Sequence, residues 1–141
     1  MNSNTQSGFS VAELMCVLVI VGILTAIAVP ALTKSKRMAE IGVIFATMRT
    51  IGSTQVNIYT AKSRFGDLDE IDALLSGSVG KQLGTNLFTR DRFMIEMVPA
   101  DPTDVELHDS YTITATQDLG DGGQVYKFEL SQTGEIRQIL P

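Results

Sequence analysis

The chain has 141 residues, 44% of them apolar, and a formal net charge of -5. That length gives room for about one domain, and an acidic balance argues against a nucleic-acid partner held through backbone phosphates. One cysteine, Cys16, excludes an intramolecular disulfide. The first eight residues, "MNSNTQSG", are uncharged, and behind "GFSVAELM" comes an apolar run from Leu14 to Leu32 whose only polar side chains are Cys16 and Thr25. As a helix those 19 residues would span about 28 Å, close to the ~30 Å hydrocarbon thickness of a bilayer. The run therefore predicts a single membrane-spanning helix. Ala26-Ile27-Ala28 offers the rival of a cleaved secretory signal, but no Lys or Arg opens the chain and an acid stands where the apolar core begins. A lipoprotein built on Cys16 lacks the apolar stretch that would have to precede it.

Glu13 sits at the mouth of this run. A carboxylate at mid-membrane costs about 2.5 to 3.5 kcal/mol on insertion scales and less at an interface. Two readings stand side by side: a residue at headgroup depth in the first turn of a helix whose dipole favours an anion, or an acid with a partner and a task.

Past the span the helix is expected to continue to about residue 62. Met38, Ile41, Phe45, Met48, Ile51 or Gly52, and Tyr59 recur at steps of three and four, a stripe suited to packing on a sheet. Gly42 and Gly52 each weaken that helix by about 1 kcal/mol relative to alanine. Pro30 lacks an amide hydrogen and crowds the carbonyl four residues back, so a kink loosening the helix toward Gly22 is expected, unless it is an ordinary transmembrane proline.

In the middle, "GDLDEIDALLSG" reads as a short helix ended by Gly77, and "SVGKQLGTNLFTRD" as loop. "RFMIEMVP" reads as a strand stopping at Pro99, and "ADPTDVELHDS" as an acidic, turn-rich surface stretch. The end reads as an antiparallel meander: "SYTITATQ", the turn "DLGDGG", "QVYKFELS", the turn "QTGE", and "IRQIL". The expected class is α+β, a long amino-terminal helix on an antiparallel sheet of about three to four strands.

Catalytic chemistry finds no footing. His108 is the one histidine, among turn residues, with no nucleophile or metal-ligand spacing around it, and no phosphate loop or dinucleotide fingerprint occurs. No cofactor is expected. Asp118 and Asp121 flank glycines in a loop that could offer oxygens to calcium, but calcium takes six to eight oxygens and paired carboxylates on a hairpin are more often turn formers.

The stretch from Gly8 to about Arg37 resembles the amino terminus of type IV prepilins and the related pseudopilins. There a short polar leader ends in glycine, a dedicated peptidase cuts before a phenylalanine, and a glutamate four residues on precedes about twenty apolar residues. Gly8, Phe9 and Glu13 match those positions, and Gly22 and Pro30 fall where the family often has a helix-weakening glycine and proline. The resemblance implies a leader of residues 1–8 and methylation of the new amino terminus at Phe9. It further implies an assembly helix over 9–33 and a globular part over 34–141, comprising the helix continuation 34–62, a variable loop 63–110 and a sheet 111–141. It gives Glu13 a task, neutralising the α-amine of Phe9 on a neighbouring subunit and so setting a filament register; an intramolecular pair, one helical turn apart, is the other possibility. It implies that the Gly22 to Pro30 stretch would melt in the assembled filament and let the fibre extend.

The partners so implied are further copies of the chain or related subunits, a prepilin peptidase, an inner-membrane assembly platform and the membrane itself. The place so implied is the bacterial inner membrane with the amino terminus cytoplasmic, then a surface or periplasmic filament. Two features depart from the pattern: the leader lacks Lys and Arg, and Lys34, Lys36 and Arg37 follow the span, where flanking-charge statistics would put the carboxyl-terminal part in the cytoplasm. Many family members staple the last loop with a disulfide, which one cysteine cannot make, and some pseudopilins carry calcium there. A looser likeness of "MRTIGSTQVNIYTAKSRFGDL" and "YKFELSQTGEIRQ" to small pilin-like proteins favours a pilus subunit over a type II secretion pseudopilin. A single-pass membrane-anchored binding module is the alternative from another class.

Overall fold

A computed structural model describes residues 8–117 and 125–140. The chain divides into two units, Met1–Ala39 and Glu40–Pro141, and one helix, α1 (Val11–Lys62), contributes to both.

In the first unit, α1 presents its apolar side chains outward: Leu14, Leu18, Ile23, Ile27 and Leu32 are all exposed. This is the one helix among the described residues long and apolar enough to cross a membrane, and none of its most apolar window is buried. It stays helical through Gly22 and Pro30. The Thr25 and Thr33 hydroxyls donate to the carbonyls of Val21 (2.7 Å) and Pro30 (2.9 Å). Such bonds to the preceding turn leave a polar side chain no unmet donor in an apolar setting.

In the second unit, α1 changes character. Ile44, Met48, Ile51 and Ile58 are buried at steps of four, three and seven, with Gln55 completing the series. They face a six-stranded antiparallel sheet in the order β1 (Lys81–Gly84), β2 (Leu87–Arg90), β3 (Phe93–Met97), β4 (Thr112–Gln117), β5 (Tyr126–Ser131), β6 (Ile136–Leu140), each strand beside its sequence neighbour. Register aligns the inward residues into rows. Phe88, Ile95, Ala115 and Phe128 form one; Met97, Ile113, Leu130 and Ile136 form the next. Ala115 is the small member between two large ones, and Phe45 meets Phe128 edge-on at 4.8 Å between ring centroids. Gly52 lies where an added Cβ would be 3.7 Å from Leu130, an ordinary contact.

The α+β class with a long amino-terminal helix is what the sequence predicts, but the sheet has six strands, not three or four. The additional strands are β1 and β2, in the stretch read as loop, and they form a hairpin around Asn86 at φ 53°. Asn86 is buried and tied on three sides. Its Oδ1 accepts from Asp69 N–H, its own N–H donates to Asp69 Oδ1, and its Nδ2 donates to the Ala100 carbonyl. Two short helices complete the unit, α2 (Leu68–Leu74) and α3 (Asp104–Asp109), the latter within the stretch read as turns. Asp67 caps α2, accepting from Glu70 N–H at 2.7 Å. At α3, Thr103 and Glu106 form a reciprocal capping box.

The segment leaving α1 is fastened from several directions. Gln55, fully buried, pairs both ends of its amide with the Gly66 backbone, donating to the carbonyl at 2.8 Å and accepting from the N–H at 2.7 Å. A Cβ at 66 would come within 2.5 Å of Ile58 Cδ1, so a larger residue there would have to displace the end of that buried side chain. Phe65 donates its N–H to the Leu107 carbonyl and packs its ring between Tyr59, tilted, and Tyr111, edge-on. Burial pushes the Tyr111 phenol up to about 12. Glu70 meets both Lys62 and Arg64, and Arg64 also reaches Asp104 at 3.2 Å. Burial alone would raise the Glu70 carboxyl, but its hydrogen bonds and charge contacts with Lys62 and Arg64 outweigh it and hold the pKa below the ordinary glutamate value.

Candidate functional site at the amino-terminal turn

The segment Gly8–Val17 is built from the start of α1. Ser10 ends the non-helical lead-in: its Oγ accepts from Ala12 N–H at 3.3 Å, and its carbonyl accepts the first helical hydrogen bond from Leu14 N–H at 3.1 Å. Glu13 reaches back so that its Oε2 accepts from Ser10 N–H at 2.9 Å. Serine, two residues, then glutamate is the capping-box pattern, which meets otherwise orphaned amides at a helix start. The carboxylate also stands in the first turn, where the helix dipole favours an anion.

This answers half of the question the sequence poses. The bland reading of Glu13, an anion in a first helical turn, is realised with a named partner, Ser10. The pattern "SVAE" carries the signal; the sequence placed Glu13 in the first turn by the helix dipole but did not name Ser10 as its partner. Nor is the carboxylate used up, since a carboxylate has about four acceptor sites and one is taken among the described residues.

Phe9 is 82% exposed, and with Ala12, Glu13, Cys16 and Val17 it borders a shallow apolar hollow. Gly8 has open space where a Cβ would stand. Among the described residues no neighbour of Gly8 requires glycine, whereas a Cβ at Gly66 would have to displace Ile58. Gly22 likewise has open space around it, and Pro30 lies inside the helix. Cys16 is an exposed free thiol.

His108 is exposed on α3, with Nδ1 2.9 Å from Asp109 Oδ1. Asp118 and Asp121 lie outside the described residues. Among the described residues no group of three or more His, Cys, Asp or Glu side chains is placed to hold a metal ion.

A family model for the prokaryotic N-terminal methylation motif matches residues 3–29. The chain thus carries the type IV prepilin-like signal, over a stretch that includes the amino-terminal turn of α1, and an α+β pilin-like fold behind it. The match supports a type IV pilin-like or pseudopilin-like protein, anchored in a membrane as a precursor through its apolar helix. Neither the curated proteins nor the solved structures searched contain a match to the chain.

Proposed function

We propose that the chain is a structural subunit of a type IV pilus-like filament. A prepilin peptidase cuts it between Gly8 and Phe9, the new amino terminus is methylated, and the subunit polymerises through the apolar half of α1. The observation that carries this reading is the methylation motif at residues 3–29. The exposed apolar side chains of Leu14 to Leu32 support it, since they need lipid before assembly and neighbouring helices after it. The glycine at position 8, which no described neighbour requires, also fits a peptidase requirement.

In this reading Glu13 docks the Phe9 amine of a neighbour. Cleavage creates that cation, and the pair lowers the cost of each charge in an apolar surrounding. The capping bond to Ser10 would orient the carboxylate without saturating it. Gly22 and Pro30 supply the weakened stretch that would yield when the fibre extends. The unassembled subunit sits in the inner membrane, leader inside, and meets an assembly platform there.

Glu13→Ala tests the assignment. Cleavage should proceed, while filaments recovered by shearing should fall at least about tenfold, the worth of one 1.4 kcal/mol interaction. Wild-type filament yield from that variant would remove the role given to Glu13. A periplasm-only reporter fused after Pro141 should be active; a silent fusion would reverse the orientation.

A further inference from the structure

Lys34, Lys36 and Arg37 follow the apolar run almost at once, and all three are exposed. From Glu13 to Lys34 the helix rises about 31 Å at 1.5 Å per residue, against ~30 Å of hydrocarbon. With Glu13 at one boundary, the three cations stand in the headgroup layer of the other. Long Lys and Arg stems reach outward from such a position to keep their charges among phosphates.

Charge is also divided along the chain. Residues 1–39 hold three basic residues and one acidic residue, net +2, whereas residues 40–141 hold eight basic and fifteen acidic, net -7. Anionic headgroups would repel the latter and attract the former. At about 100° per residue the three cations spread over roughly 160° of the helix circumference. That is wider than the single line of three- and four-residue steps with which a helix meets one partner helix, and suits a layer of headgroups around the helix.

Resting on the membrane-span reading, we propose that Lys34, Lys36 and Arg37 form a binding site for anionic phospholipid headgroups at the membrane boundary opposite Glu13. The ligand is a lipid phosphodiester, which Arg37 can meet with two parallel N–H donors and the lysines as point charges. The site holds the unassembled subunit at a fixed depth, and assembly must release it. Each cation near such a surface contributes about fivefold in affinity at modest salt, fading with ionic strength.

Native mass spectrometry of the full chain in mild detergent, with equal amounts of phosphatidylglycerol and phosphatidylcholine, tests this. Phosphatidylglycerol adducts should exceed phosphatidylcholine adducts by about tenfold or more, and the excess should shrink with salt. The K34Q/K36Q/R37Q variant should lose the preference and K34R/K36R should keep it. Equal adducts on the unmodified chain, or an excess that survives in the triple variant, would overturn the site. So would a cation-dependent dimer without lipid preference, which would mean that the acidic part of a second copy is the true partner. Alkaline carbonate extraction of membranes reads the underlying span separately: both proteins should stay embedded, and release of the unmodified chain would overturn the span reading itself.

Discussion

The two stretches of α1 use apolar residues in opposite ways. From Leu14 to Leu32 they are on every side of the helix and uncovered, while further on Ile44, Met48, Ile51 and Ile58 form one stripe buried on the sheet, with Val56 left exposed outside it. The first stretch has none of its most apolar window buried among the described residues. The second is a core. A substitution should therefore report on folding or on assembly according to which stretch it touches.

The sharpest way to break that contrast is to truncate one residue from each. Phe128→Ala removes a buried ring that meets Phe45 and Phe93, and should cost about 3 to 5 kcal/mol in denaturant unfolding of residues 40–141. Ile23→Ala, on the exposed stretch, should change that unfolding by less than about 0.5 kcal/mol. A loss of 2 kcal/mol or more in the second variant would mean that the apolar stretch packs within its own chain.

Gln55→Ala comes next. It leaves the Gly66 N–H and carbonyl without their buried partner, at about 1 to 3 kcal/mol. Chemical denaturation should show the loss, and hydrogen exchange should show it first at Gly66.

A smaller effect is expected from Glu70. Its folded pKa is depressed, so its contribution is complete above the ordinary glutamate value of 4.5 and disappears as pH falls through the folded value. Glu70→Gln should lower stability at pH 7 and flatten the fall in stability below pH 4.5. An unchanged acid limb would show that the contacts to Lys62 and Arg64 carry no net stabilisation. Ser10→Ala should have the smallest effect of these, about 1 kcal/mol at the helix start, seen as faster amide exchange at Val11 and Ala12 with no change at Ile51.

The same contrast explains what could be read in advance. An uninterrupted apolar run needs no partner to be recognised, so the span was legible residue by residue. The amphipathic stretch was legible in part: Met48 and Ile51 are buried and Ile41 and Phe45 pack against the core, but the stripe also contains Gln55, a polar residue whose place in the core depends on Gly66 eleven positions away. Ile44 and Ile58, which the expected stripe omits, are buried, while Met38 and Tyr59, which it includes, are exposed. The β1–β2 hairpin was missed for a related reason. Its few apolar residues do not alternate clearly, and Asn86 is held by Asp69 and Ala100 rather than by a recognisable turn dipeptide. By contrast, α3 was legible in principle: Thr103 to Glu106 repeats the capping-box spacing found at Ser10 to Glu13. In both places the local rule was present and the surrounding chemistry, lipid in one and acidic turn residues in the other, drew the reading away from it.

The central claim is that the exposed stretch is uncovered because the chain is cut and assembled. Intact-mass and amino-terminal analysis of the protein from its native cell tests this most directly. The expected species begins at Phe9 and is one methyl group heavier than the unmodified chain from that residue. A species that retains Met1, or one that begins after Ala28, would contradict it.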